Sequence, residues 1–178
     1  VSQSTYIKAK ILRINVGFIL AESVGFSHEV EFNVPSPMQI ADDLILNHLY
    51  ATLRLSHVHD GILAQGEVQT GVPDICSRCN DDIWLPVEFE VEELFGKLTG
   101  RGGTEFLIND ANDIDLAPLF RAEAMLHTPM VTPYDENNRC LLCNRTFDEV
   151  LREAGLGEDI DPRMAVLMEL RNKLTDDK

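Results

Sequence analysis

Positive charge is scarce in this chain. Its 178 residues carry 15 Lys+Arg against 30 Asp+Glu, a formal net charge of −15. A uniformly acidic surface repels phosphate backbones and anionic membranes. A nucleic-acid role would therefore have to rest on a local basic patch or pass through a basic protein partner. The plain alternative is a solvated acidic surface that keeps a cytosolic protein in solution. Long hydrophobic runs are missing as well. No stretch reaches the roughly 18 to 20 uncharged apolar residues that a membrane span requires. The run Val1-Ser2-Gln3-Ser4-Thr5 has no basic segment leading into an apolar one, so no signal peptide is expected. Catalytic signatures are also wanting. There is no Gly-x-Ser-x-Gly and no His-Glu-x-x-His, and no nucleophile–base pair emerges from spacing. A non-enzymatic role is expected, with a metal-dependent or thiol-redox enzyme of unknown substrate as the alternative.

What is present is an ordinary globular mixture. Hydrophobic residues make up 44% and charged residues 25%, which excludes wholesale disorder. A chain this long can bury a core without disulfides, and a single domain over residues 1–178 is expected. Three segments alternate with the period of a half-buried strand. They are Val30, Phe32 and Val34; Leu53 and Leu55; and Val87, Phe89 and Val91. Asp60-Gly61 reads as a hairpin turn, followed by a strand with Ile62, Ala64 and Val68 on one face. The polar face of the third segment, Glu88, Glu90 and Glu92, is wholly acidic, and suits either solvent or a cationic partner. Residues 96–114 read as a loop. Gly96, Gly100, Gly102 and Gly103 make its first part flexible, without the spacing of a P-loop or a dinucleotide fingerprint.

From residue 115 the pattern turns helical. Asp115 reads as an N-cap, with Leu116, Leu119, Phe120 and Leu126 as the apolar face, and Pro129 and Pro133 end the segment. Thr146-Phe147-Asp148-Glu149 has the capping-box pattern, with Phe147, Val150, Leu151 and Ala154 as its stripe and Gly155 as its stop. Asp161-Pro162 is expected to open a last helix bearing Leu167, Leu170 and Leu174.

All four cysteines fall into two pairs, Cys76-Ser77-Arg78-Cys79 and Cys140-Leu141-Leu142-Cys143. A two-residue spacer lets one tight turn present two thiolates to one metal, and two such turns complete a tetrahedral zinc shell. Four thiolates leave no open position, so Zn2+ would be structural. Reduced metal-free cysteines, or a redox dithiol, are the other readings; disulfides are disfavoured in the cytosol. Each pair is followed by asparagine, Asn80 and Asn144. The residue there often needs a left-handed backbone, and asparagine tolerates it best after glycine. Arg78, Arg139 and Arg145 lie in or beside the pairs. If the pairs converge, these guanidinium groups either bind phosphate oxygens or offset the roughly −2 charge of a tetrathiolate zinc centre. Two weaker candidates are a His57-x-His59 metal pair and a calcium loop at Asp110, Asn112, Asp113 and Asp115. The first lacks a third ligand; the second lacks the EF-hand glycine and glutamate.

The order of these features resembles the YceD family, named for accumulation of large-subunit ribosomal RNA. The residues that carry the resemblance are Cys76-Ser77-Arg78-Cys79, Asp115-Leu116, Pro129, Cys140-Leu141-Leu142-Cys143 and Asp161-Pro162-Arg163, within roughly residues 44–174. Tyr134-Asp135-Glu136-Asn137-Asn138 departs from it, since many members carry a further cysteine pair there, and Asn144 replaces a frequent glycine. The resemblance implies a cytoplasmic, non-enzymatic factor supporting 23S rRNA accumulation and large-subunit assembly. Its partners would be large-subunit rRNA, a small basic large-subunit ribosomal protein, or both, with neither DNA nor membrane. The expected fold is α+β: a mostly antiparallel twisted sheet over residues 1–95, a loop over 96–114 and helices over 115–178, joined at the paired cysteine turns. Cys76, Cys79, Cys140 and Cys143 are the expected metal ligands, and Arg78, Arg139 and Arg145 the expected RNA contacts.

Overall fold

The computed structural model describes residues 7–97 and 106–155. The chain divides into two compact units, one of Val1–Ile75 and Asp82–Val131, the other of Cys76–Asp81 and Thr132–Lys178. The fold is α+β with mostly antiparallel sheets and its longer helices toward the C-terminus.

The first unit begins with β1 (Ile7–Lys8), a 3-10 turn (Ala9–Leu12), β2 (Arg13–Asn15) and α1 (Gly17–Ala21). Then come β3 (Ser27–Val34), β4 (Met38–Ala41), β5 (Leu44–Leu46) and β6 (Leu49–Val58). After these follow β7 (Gly61–Ile75), β8 (Asp82–Lys97), β9 (Phe106–Ile108), β10 (Asp113–Asp115) and α2 (Ala117–His127). The main sheet has five strands in the order β3-β6-β7-β8-β9, antiparallel except for the short β8·β9 pair. A three-stranded sheet, β1-β4-β5, and a two-stranded one, β10-β2, complete the unit.

Alternation sorts the main sheet into two chemically distinct faces. The inner face aligns Phe32, Ala51, Val68 and Phe89 in one cross-strand row, and Val34, Leu49, Thr70 and Val87 in the next. Helix α2 buries Ala117, Leu119, Phe120 and Ala124 into the same core. The Phe120 ring meets Phe32 and Phe89 edge-on, each at 6.4 Å between centroids. The outer face is an exposed polar lattice. Its successive rows are Asn33-Tyr50-Gln69-Glu88, Glu31-Thr52-Glu67-Glu90 and Glu29-Arg54-Gln65-Glu92. Six carboxylates stand there against the single cation Arg54, itself paired with Glu29 at 3.3 Å. Glu67 and Glu90 are directly opposed, an arrangement that costs stability in an isolated sheet.

Several local expectations shift. The β6–β7 turn is His59-Asp60, because Val58 already pairs with Gly61. Gly61 is needed inside the strand instead: a Cβ there would stand 2.0 Å from the carbonyl oxygen of Phe95. The expected 96–114 loop contains Gly96 of β8 and the strands β9 and β10, while 98–105 lie outside the described residues. Asp115 ends β10 and pairs with Arg13, and α2 starts after Leu116; the Asp115 carboxylate still accepts the Ala117 N–H at 3.0 Å. Leu126 is 76% exposed and Ala124 takes the core position. Six residues past Phe120 is a rotation of about 240° away from the buried stripe, whereas four brings a residue back to it. The expected helix with Leu167, Leu170 and Leu174 lies outside the described residues.

Since Phe120 is fully buried between two rings, Phe120→Ala is expected to lower unfolding free energy by about 3–5 kcal/mol, read from the urea midpoint.

Candidate metal centre

Both cysteine turns belong to the second unit. The chain leaves β7 after Ile75, forms the first turn and re-enters the sheet at Asp82, the ladder partner of Ile75. The second turn lies between two isolated bridges, Tyr134 with Cys140 and Arg139 with Thr146.

The two turns repeat one hydrogen-bond pattern. The Cys76 N–H donates to the Asp81 carbonyl at 2.9 Å and the Asn80 N–H to the Cys76 carbonyl at 3.0 Å. Likewise the Cys140 N–H donates to the Arg145 carbonyl and the Asn144 N–H to the Cys140 carbonyl, both at 2.9 Å. Asn80 and Asn144 carry φ of 59° and 58°, the left-handed conformation expected of them. That bend reverses the chain and brings the carbonyl of the next residue back to the N–H of the first cysteine.

The four sulfurs converge. Cys76 Sγ lies 3.9 Å from Cys140 Sγ and 3.7 Å from Cys143 Sγ, and Cys79 Sγ lies 3.3 Å from Cys143 Sγ. Sulfurs on ~2.3 Å bonds to one zinc stand about 3.8 Å apart in a tetrahedron. Cys76, Cys140 and Cys143 lie within 4.8 Å of one another, and Cys79 joins them through Cys143 with the Asp81 carboxylate beside it, so the four cysteines cluster at metal-binding distance. All four cysteines are unbridged, with Cys76 and Cys140 buried and Cys79 and Cys143 half-buried. The set of soft donors fits Zn2+ in kind and number.

Burial acts against charge at Cys76, Cys79 and Cys143, with different outcomes. It is the largest influence on Cys79, pushed up to about 12 with help from the Asp81 carboxyl, and it raises Cys143. At Cys76 burial is outweighed by donors aimed at the sulfur, the Cys79 and Arg78 N–H groups and the Cys79 and Cys143 thiols. They bring it down to about 6. One sulfur is thus ready as thiolate at neutral pH, while two hold their protons until a cation replaces them.

The arginines converge on the centre, but each is engaged by the protein. Arg78 donates to the Asn138 carbonyl at 3.0 Å and to Asn138 Oδ1 at 3.1 Å, and its guanidinium lies 3.7 Å over the Tyr134 ring. Arg139 donates to the Asn144 carbonyl at 2.6 Å and pairs with Glu149 at 3.2 Å. Arg145 pairs with Asp81 at 3.2 Å and also with Glu153. Arg78 thus ties the first turn to the segment before the second. Arg139 and Arg145 reach helix α3 (Phe147–Glu153), whose Thr146–Glu149 capping box is formed as its sequence implies. The expected α3 stripe is not a buried one: Phe147 is 46% exposed, while Val150 and Leu151 are half-buried. Phe147 opens the first turn and Gly155, at φ 69°, ends the helix after two, which is too short to seat a full apolar face.

Sequence reasoning missed the remaining bracing. Ser77 Oγ lies 2.9 Å from Tyr134 Oη and 3.4 Å from Thr132 Oγ1. Asp81 carries a carboxylate beside Cys79 and Cys143. Its adjacency to Asn80 was the only available signal. Of the weaker candidates, His57 holds the Glu22 carbonyl through Nδ1 at 2.8 Å. The acidic loop forms the β9–β10 turn, in which Asn109 Oδ1 accepts the Ala111 and Asp113 N–H groups.

Fold and site together define an α+β protein bearing a paired-turn tetracysteine centre. No protein-family model matches the chain, and no curated protein or solved structure matches it either.

Two outcomes follow from the turns and their thiols. Asn80→Gly and Asn144→Gly should hold metal as well as the parent, whereas Asn→Ala at either site costs about 1 kcal/mol, or roughly fivefold in zinc affinity by chelator competition. Since Cys79 and Cys143 must lose protons to bind, apparent zinc affinity should fall by about a hundredfold or more per unit of acidification between pH 8 and 7. A pH-independent affinity would contradict that assignment.

Proposed function

We propose that this chain is a non-enzymatic, cytoplasmic ribosome-biogenesis factor of the YceD type. It supports 23S rRNA accumulation and large-subunit assembly chiefly by holding a small basic large-subunit ribosomal protein. A structural Zn2+ on Cys76, Cys79, Cys140 and Cys143 organises the second unit. The observation that carries the client reading is the outer face of the main sheet, where Glu29, Glu31, Glu67, Glu88, Glu90 and Glu92 stand exposed around one paired arginine. Such a field attracts a cationic protein and discourages phosphate. The directly opposed Glu67 and Glu90 are an arrangement that a bound cation would relieve. Among the described residues no helix is long and apolar enough to cross a membrane.

Direct contact with large-subunit rRNA is the second route. Arg78 favours it, since its partners Asn138 and Tyr134 are neutral. Arg139 and Arg145 are each held by carboxylates and would have to be released to meet a phosphate.

The test is capture from nuclease-treated bacterial lysate, where a basic large-subunit protein should be recovered. Glu88→Gln, Glu90→Gln and Glu92→Gln together should weaken its binding by about tenfold or more at low salt without loss of stability. Recovery only with intact RNA, weakened by Arg78→Ala, would favour the RNA route instead. Metal analysis of chain purified without chelator should find about one zinc per chain; near-zero zinc with the fold intact would remove the metal centre from the proposal.

A further inference from the structure

The four sulfurs are not equivalent, and the difference selects one pair. Cys76 and Cys140, the first cysteine of each turn, are each only 1% exposed. Cys79 and Cys143, the second of each turn, are half-buried and so within reach of a small solute. These two also approach to 3.3 Å, closer than Cys76 comes to Cys143 or Cys140, at 3.7 and 3.9 Å. Little more than about 1 Å of movement would bring them to the ~2.0 Å of a disulfide. They sit at corresponding positions of the two turns, so the bond would run between turns and not within either.

We propose that Cys79 and Cys143 form an oxidation site, in which a hydroperoxide closes a disulfide across the two turns and expels the metal. One thiolate sulfur attacks the peroxide, gaining an S–O bond as the O–O bond breaks; the departing oxygen takes a proton and leaves as water or alcohol. The second thiolate then attacks the sulfenic sulfur, forming the S–S bond, and the sulfenic oxygen leaves as water with a second proton. The two sulfurs lose two electrons and the peroxide gains them. Zinc keeps its charge but loses two of its four ligands, and Cys76 and Cys140 alone do not retain it. A thiol reductant reverses the step.

The experiment treats zinc-loaded chain with one equivalent of hydrogen peroxide. Metal release is followed with a chromogenic chelator, and the products are mapped by mass spectrometry after alkylation and trypsin. Arg78 lies between Cys76 and Cys79, so trypsin separates those two, and fragmentation distinguishes Cys140 from Cys143. The expected result is a dominant Cys79–Cys143 link, one zinc released per link formed, and recovery of zinc binding after reduction. Chain loaded with zinc after purification gives the same readout, so a low zinc content as purified leaves the site testable, and a chain that takes up no zinc overturns the proposal. Links within the turns, Cys76 to Cys79 or Cys140 to Cys143, a dominant link involving Cys76 or Cys140, or zinc retained after peroxide would overturn the proposal.

Discussion

The left-handed bend after the second cysteine of each pair is the constraint on which the site depends. A Cys-x-x-Cys segment in extended backbone would point its two thiols to opposite faces. With Asn80 and Asn144 at positive φ, the following carbonyl turns back to the first cysteine N–H, and both sulfurs face inward. Asparagine sustains this conformation at small cost because its short side chain can satisfy nearby backbone groups. Repeating the bend at two distant points of the chain brings the four cysteines together, and a metal of matching preference would replace the protons that burial holds on Cys79 and Cys143.

Electrostatics then divides labour among few cations. A tetrathiolate centre with zinc carries about −2, in a chain already strongly acidic. Arg78, Arg139 and Arg145 surround it, and each bridges one piece of the second unit to another: Arg78 to Asn138, Arg139 to Asn144 and Glu149, Arg145 to Asp81 and Glu153. Their planar forks suit this bracing, since one guanidinium can satisfy a carbonyl and a carboxylate at once. The consequence for partners is direct. Arg139 and Arg145 are held by carboxylates and are not free for a phosphate, while the outer sheet face keeps its carboxylates almost uncompensated. This balance of exposed charge is what supports the proposed basic client.

Much of this was legible from residue order. Period-two alternation marked β3, β6, β7 and β8, and the spacing of the cysteines together with Asn80 and Asn144 marked the paired turns. The Thr146–Glu149 box and Gly155 marked the bounds of α3. These features are local: each depends on sterics or hydrogen bonds spanning a few residues, so the linear pattern carries them. The errors were local too, and came from phase. Leu126 fits the apolar spacing yet lies off the buried face, and Asp60-Gly61 places the β6–β7 turn one residue late because Gly61 answers to a close backbone neighbour and not to a turn.

By itself the sequence determined the element types, the acidic surplus and the inventory of donors. Only the tertiary structure decided that the cysteines 64 residues apart meet within 3.3 to 3.9 Å, and which of them remain within reach of solvent. It alone decided that the arginines face inward partners, and that glutamates from β3, β7 and β8 share one face. Those outcomes rest on strand register and on contacts across long loops. Their energies belong to pairs of segments, and no single segment encodes them.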